Sequence, residues 1–300
     1  MASKLVTEGA KKNVSQLIKA MKGWNSSNFF TDPPKGVFGS EATIQCNGAV
    51  IKSSDLDIDF TIPFDDDLES NEAEISIYNL SDTTISRLAK GKAITVTAGF
   101  KGDTGVVFSG YIDKRTTTYE GTDRKTTLKC LDRLKETELD EITYKAGTKA
   151  STILRDLISR TGTQIEVFKV RRDHTFKDEQ KVDGNLMQNI KKYSETCGVS
   201  TYVSKGKVYC RWLKEADGLD FTLSEDTGLI NSPQEFEEEL SYDGGTETIT
   251  GWECESLLQH RFSAGGRVKI KSRAANGDFR IQSGTHTFSA GEAVTKIRVF

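Results

Sequence analysis

The sequence predicts a mainly β protein with an α+β insert. Two related β-barrel domains flank a small α+β domain, and an N-terminal helical arm precedes them. Three observations support this fold class. Long stretches alternate apolar and polar residues with a period of two, which is typical of half-buried antiparallel strands. Helical spacing of apolar residues is confined to the start and the middle of the chain. One order of elements occurs twice, near the two ends.

The bulk composition excludes several functional classes. With 300 residues, the chain is long enough for two or three domains with hydrophobic cores. The net charge of −3 disfavours specific nucleic-acid binding, which usually needs a basic surface. No run of about 18 apolar residues is present, so we expect no membrane insertion. The first residues lack a secretory signal, and the five cysteines form no CxxC pair. We therefore expect buried free thiols and synthesis in a reducing cytoplasm.

The first predicted segment, residues 1–36, is a helix followed by an extended linker. The linker, residues 24–36, is polar and contains Pro33-Pro34, and Gly23 ends the helix. The helix is predicted from apolar residues at helical spacing, namely Val14, Leu17, Ile18 and Met21. It is either a docking element on a loose arm or a helix that packs on its own domain.

Residues 37–143 are predicted to form the first barrel. A short helix begins at Ser81 and ends at Gly91. The strand candidates are residues 42–50, 56–64, 73–79, 94–100, 106–117 and 124–131. Several strands with regular turn signals predict a closed or nearly closed β-barrel.

Residues 144–214 are predicted to form the α+β domain, and residues 215–300 the second barrel. The middle domain has helices at 150–160 and 185–196, and a hairpin that turns at Lys205-Gly206. In the second barrel we expect a short helix over 255–261. Its strand candidates are residues 219–223, 247–255, 268–272, 279–287 and 294–300.

The two barrel regions share an order of helix, glycine, strand, turn, strand, glycine and strand. The first copy runs from Ile85 through Phe108-Ser109-Gly110, and the second runs from Leu258 through Phe279 to Gly284. The alternative is coincidence, because strands punctuated by glycine are common in β proteins. If the duplication is real, three chains would present six similar units. Such a protein could join a six-fold object to a three-fold one.

No catalytic, cofactor or metal site is predicted, and the protein is expected not to be an enzyme. The three histidines, His174, His260 and His286, are far apart and lack metal-ligand spacing. The acidic run at residues 65–69 lacks the spacing of a calcium loop and is interpreted as a solvated turn. A second acidic cluster, interpreted as a solvated surface or a face for a basic partner, consists of Glu235, Glu237, Glu238 and Glu239.

One stretch resembles a known family. In residues 71–81 a strand ends in Tyr78-Asn79-Leu80-Ser81; residues 94–102 contain an AGF-x-G pattern, and residues 107–112 an F-x-G-x-I pattern. This arrangement resembles the XkdQ/YqbQ-type baseplate hub proteins of contractile phage tails and phage-tail-like bacteriocins such as diffocins. Those proteins are related to the gene D late-control hub proteins. Residues 277–281, with His286, resemble the last barrel of the family. The N-terminal arm has no counterpart in this pattern.

The resemblance implies a structural, homotrimeric hub with two tube-like barrels per chain. Such a hub adapts the six-fold tail tube to the three-fold central spike of a contractile injection system and initiates tube assembly. Its implied partners are itself, the tail tube protein, the central spike protein and other baseplate and wedge proteins, with the tape measure protein as a further candidate. The implied location is the baseplate of an assembled phage tail or tail-like particle, after synthesis in the bacterial cytoplasm.

Two other functions stay open from the sequence. One is a tail-associated cell-wall hydrolase, for which Glu166, Asp173 and His174 are the candidate residues. The other is a carbohydrate-binding module. For the hub, the barrel strands supply the candidate subunit and tube contacts, namely Ile75, Ile77, Tyr78, Phe108, Tyr111, Phe279 and Ile281. Strand alternation alone does not say which face of these strands meets a partner.

Overall fold

A computed structural model describes residues 39–132, 137–218, 221–242 and 245–300. The predicted helical arm lies outside the described residues. The mainly β fold class with an α+β insert is confirmed. The described residues contain 18 strands, three α-helices and one short 3-10 turn.

The first region contains seven strands and one helix. They are β1 (Ser40–Cys46), β2 (Ala49–Lys52), β3 (Ile58–Phe64), β4 (Glu72–Tyr78), α1 (Asp82–Arg87), β5 (Ala93–Phe100), β6 (Asp103–Glu120) and β7 (Asp123–Leu131). Every second residue of β3 is buried, as its alternation predicts. The Ser81 side chain accepts a hydrogen bond from the Thr84 amide and so caps α1.

The middle region contains the remaining two helices. Its elements are β8 (Glu138–Tyr144), α2 (Ala150–Arg160), β9 (Ile165–Phe168), β10 (Gln180–Asn185), α3 (Leu186–Cys197), β11 (Ser200–Ser204) and β12 (Lys207–Arg211). Asn185 caps α3, and Gly198 ends it in the left-handed conformation. The β11–β12 turn has positive φ at Lys205 and Gly206, as a two-residue hairpin turn requires.

The last region contains β13 (Thr222–Ser224), β14 (Gln234–Tyr242), β15 (Gly245–Leu257), β16 (Arg267–Lys271), β17 (Asn276–Ser289) and β18 (Glu292–Val299). The predicted helix over 255–261 is wrong. β15 continues to Leu257, and the described residues after it form turns. The Leu257 amide donates to the Gly228 carbonyl and the Leu258 amide to the Ala293 carbonyl, so non-local partners replace the bonds of a helix.

Both predicted barrel regions contribute to one 13-stranded sheet. Its path runs β14-β15-β18-β17-β3-β4-β7-β6-β5-β1-β2, with β16 and β13 attached beside β17. β3 and β17 are the neighbours that join the two regions. β8 pairs with β10 in a separate two-stranded sheet, so it belongs structurally with the middle region. The domain boundaries otherwise stay a prediction.

Five strands of each region follow the same order. The first region has β3-β4-β7-β6-β5, and the last has β14-β15-β18-β17-β16. The details also repeat: a bulge follows Ile112 in β6 and Ile281 in β17, and a two-residue turn follows each strand. At this offset Phe279 corresponds to Gly110, not to Phe108 as the sequence pattern suggested. The second copy has turns where the first has α1.

Candidate assembly surfaces

The junction between the two repeated units is a continuous strand pair with one buried face. β17 and β3 run antiparallel, from Gly284 opposite Phe64 to Phe288 opposite Phe60. The Phe60 and Phe288 rings stack with centroids 5.2 Å apart. His286 is fully buried beside Phe64, and burial lowers its pKa to about 3. The imidazole is therefore neutral at physiological pH, and apolar packing holds the junction.

A polar contact reinforces this junction at the β5–β6 tip. Asp103 lies 3.0 Å from Nε2 of His260 and accepts two hydrogen bonds from the Arg261 guanidinium. The bond from Arg261 is the main reason why the pKa of Asp103 is lowered. A Cβ atom at Gly105 would lie 2.1 Å from Nδ1 of His260, so the two segments are in close contact.

Buried ion pairs join the last region to the first region and to the middle region. Arg280 pairs with Asp66, and both side chains are nearly inaccessible to solvent. Arg211, 2% exposed, accompanies them by donating to Tyr202 and pairing with Asp217. Asp66 lies in the acidic run that the sequence suggested was a solvated turn, and for this residue that interpretation is wrong. Burial raises the pKa of Asp66, and pairing with the distant Arg280 opposes that rise.

Among the strand edges that lack a described partner strand, which include those of β2 and β13, two belong to equivalent places in the repeated units. Beyond Tyr111, β6 has left β5 and continues to Glu120 with β7 on one side. β14 pairs with β15 and lies at the end of the sheet path. Tyr119 on the first edge is 72% exposed, and Glu235, Glu237 and Glu239 on the second are also exposed. Unpaired edges of this kind are the usual sites of strand addition.

The seven predicted contact residues separate by burial. Ile75, Ile77, Phe108 and Ile281 are at most 3% exposed and pack in the cores of the chain. The prediction that these four residues contact a partner directly is therefore corrected. The alternation that selected them marks the inner face of the sheet. Tyr78 and Phe279 are partly buried and Tyr111 is exposed, so these three stay candidates.

Sequence reasoning missed Tyr119 and β14. The predicted strand stopped at residue 117, two positions short of Tyr119. β14 was not predicted as a strand because its glutamates do not alternate clearly with apolar residues. The repeat itself was the available signal. Phe288 in β17 and Tyr119 in β6 lie at the same distance along the chain from the bulge of their strand.

The candidate residues of a hydrolase do not form a convergent site. Glu166 pairs with Lys207, and Asp173 accepts hydrogen bonds from the backbone and hydroxyl of Ser151. His174 packs edge-on against Phe176. Each of these side chains thus has a local structural partner.

The described residues hold no group of three or more histidine, cysteine or acidic side chains positioned for a metal ion. All five cysteines are buried, and burial raises the pKa of the Cys130, Cys197 and Cys254 thiols to about 12. Such thiols are poor nucleophiles. No helix in the described part of the chain is both long and apolar enough to span a bilayer.

Comparison with known proteins identifies the fold. No protein-family model matches the chain, and no curated protein matches it. The 43 kDa tail protein of prophage MuSo2 from Shewanella oneidensis superposes with a TM-score of 0.60 at 10% identity, covering 87% of this chain and 97% of that one. A tail protein from Neisseria meningitidis MC58 gives 0.62 at 11% identity, with 87% and 96% covered.

A third solved structure extends the likeness beyond phage tails. It is the E. coli c3393 protein, a component of the type VI secretion system with structural similarity to the T4 bacteriophage tail proteins gp27 and gp5. Its TM-score is 0.58 at 9% identity, with 86% of this chain and 76% of that chain covered. At these identities the likeness shows a shared fold.

Proposed function

We propose that this chain is a structural hub of a contractile tail or tail-like particle. In this role it assembles as a homotrimer, adapts the six-fold tail tube to the three-fold central spike, and initiates tube assembly. The observation that carries the proposal is the repeated five-strand unit. Two units joined edge to edge in each chain give six similar units in a trimer, which is the number that a six-fold tube presents.

The fold supports the same assignment. Solved structures with this fold include two tail proteins and a type VI secretion component. The fold also occurs in a Francisella PdpA–VgrG complex, with a TM-score of 0.53. The tube, spike, baseplate and wedge proteins are the partners that this proposal requires. The XkdQ/YqbQ type, shared with diffocin-like bacteriocins, is the form that the sequence resemblance favours.

A non-enzymatic role fits the geometry. The hydrolase candidates have structural partners, and the described cysteines are buried. A groove of about 890 Å³ runs between α3, the loop over residues 66–69 and the β14–β15 hairpin. Trp212 is the aromatic residue in its wall, whereas a carbohydrate site usually presents several aromatic faces.

Native mass spectrometry tests the proposal. The chain is measured alone and together with the tube and spike proteins of the same particle. We expect a species of three copies that binds both partners, and electron microscopy of that species should show six similar density units around the axis. A chain that stays monomeric with both partners present would contradict the hub assignment.

A further inference from the structure

We infer that the open edge of β6 in one chain pairs antiparallel with β14 of the next chain, in the register of the internal β17–β3 pair. This inference rests on the proposed trimer and identifies the contact that closes it. The occupant of each edge is therefore a second copy of this chain.

The two repeated units are equivalent in their strand order. β6 corresponds to β17, and β14 corresponds to β3, because each has the same neighbours in the same order. Within the chain, the outer edge of β17 beyond its bulge is filled by β3. The equivalent edge of β6 has no described partner strand, and neither has the outer edge of β14. One filled junction and two matching open edges are what a ring of alternating internal and intermolecular contacts requires.

The backbone around the two edges is also equivalent. The Gly91 amide donates to the Ile112 carbonyl, and the Gly265 amide donates to the Ile281 carbonyl. Ile112 and Ile281 each precede the bulge, and each strand then leaves its inner neighbour. The space that β3 occupies beside β17 therefore has a counterpart beside β6. The side chains of Lys114, Arg115 and Thr118 are exposed there.

The shared ladder positions set the register. Thr61 of β3 pairs with Glu74, and Gln234 of β14 pairs with Glu253, at matching places along the two ladders. Thr61 lies opposite Thr287 in the internal junction. The equivalent intermolecular pair is Thr118 with Gln234. Stepping along both strands then places Arg115 opposite Glu237 and Tyr119 opposite Pro233.

The side chains at these positions are complementary. Lys114 and Arg115 on β6 would lie opposite Glu238 and Glu237 on β14, and opposite charges on facing strands stabilise pairing. Arg115 also donates to the Ile85 and Leu88 carbonyls and Glu238 also pairs with Arg298, so each would share its charge between two partners. Tyr119 is 72% exposed in the single chain, whereas Phe288 at the equivalent place is 4% exposed. The equivalent position is part of the hydrophobic core in the second unit. An exposed aromatic side chain at this position in the first unit therefore indicates a surface that a partner covers.

Disulfide trapping tests the register directly. Directly opposed residues of an antiparallel pair have Cα atoms about 4.5–5.5 Å apart, within the range that a disulfide spans. One chain carries Thr118→Cys and a differently tagged chain carries Gln234→Cys; the two are mixed and oxidised. We expect a covalent dimer only in the mixture, since all five native cysteines are buried. The matched control mixes Thr118→Cys with Glu235→Cys, because a one-residue slip turns the side chains to opposite faces.

The outcomes separate this inference from the proposed function. A trimer in which the Thr118–Gln234 pair does not cross-link, or cross-links no faster than the control pair, would keep the hub proposal and overturn the strand pairing. A chain that never trimerises, even with tube and spike proteins, would overturn both.

A pair of alanine substitutions gives an independent test without cross-linking. Tyr119 and Val50 are both exposed, so alanine at either position should leave the single chain folded. We expect Tyr119→Ala to weaken trimer formation about tenfold or more per interface, and Val50→Ala, on β2, to leave it unchanged. The reverse result would place the contact at β2 and would contradict the β6–β14 pairing.

Discussion

Asp132 provides a sharp test of the packing between β7 and the loop that precedes β4. Its Oδ1 accepts a hydrogen bond from the Asn71 amide at 2.9 Å, and its Oδ2 accepts one from Asn71 Nδ2 at 3.3 Å. The same Nδ2 also donates to Asp65. Burial raises the pKa of Asp132 to about 7 and that of Asp65 to about 6. Two neighbouring carboxyl groups thus favour their protonated forms in the folded chain.

The sign of the pH effect follows from these directions. A carboxyl group whose folded pKa exceeds its unfolded value binds its proton more tightly in the folded state. Its ionisation therefore lowers the free energy of unfolding. This loss is absent below about pH 4 and grows as the pH rises to about 7. A rise of about three units corresponds to about 4 kcal/mol, and coupling to Asp65 shares part of it. We therefore expect Asp132→Asn to raise the free energy of unfolding at pH 8 by about 2–4 kcal/mol.

Urea denaturation at pH 5 and pH 8 measures this effect. The gain from Asp132→Asn should be largest at pH 8 and should shrink by more than half at pH 5. Asp140→Asn, on the exposed face of β8, is the matched control and should change stability by less than about 0.5 kcal/mol at either pH. Equal destabilisation of the Asp132 variant at both pH values would refute the reasoning, because it would show that the ionised carboxylate is well solvated or well paired.

Three further substitutions test the junctions and the core. Gly105→Ala places a Cβ atom 2.1 Å from Nδ1 of His260, and urea denaturation should show a loss of about 1–3 kcal/mol. Asp66→Ala leaves the buried Arg280 without its carboxylate and should cost about 3–5 kcal/mol by the same assay. Ile75→Ala opens a cavity in the first core and should lower the free energy of unfolding by about 2–5 kcal/mol.

Each of these substitutions has a control within the chain. Gly218→Ala meets no atom within 4 Å, so a Gly105 variant of equal stability would mean that the β5–β6 tip does not contact His260. Asp67→Ala changes an exposed neighbour in the loop of Asp66, and similar losses at both positions would argue against the buried ion pair. Val50 is 59% exposed, so Ile75→Ala should cost far more than Val50→Ala if Ile75 is core.

Sequence periodicity predicted most of the fold because burial in a sheet follows the alternation closely. β3 and β5 were found in this way, and α2 and α3 were found from helical spacing with glycine stops. The failures have local causes. β14 carries four glutamates and extends to the sheet edge, so its polarity resembles that of a loop. The segment after β15 has helix-compatible residues, but non-local strands take its backbone donors.

The candidate site was less predictable for a different reason. Alternation identifies the two faces of a strand, whereas the proposed contact uses the edges, which depend on which strands become neighbours. Ile75 and Phe108 were selected as surface contacts although they fill the first core. The repeat pointed to the edges used in the proposed contact, but its alignment needed the bulges at Ile112 and Ile281, which only the strand pairing shows.

The two junctions of the proposed ring differ in polarity. The order in which they form during assembly explains this difference. The β17–β3 junction is apolar, with Phe60 stacked on Phe288, and the chain itself holds its strands together. The edges of β6 and β14 must remain soluble until a second chain arrives, and an apolar exposed edge would pair with any available strand. Charged residues such as Arg115 and Glu237 keep each edge from pairing with its own kind, while they allow the two edges to pair with each other. The repeated unit thus carries one junction suited to folding and one suited to regulated assembly.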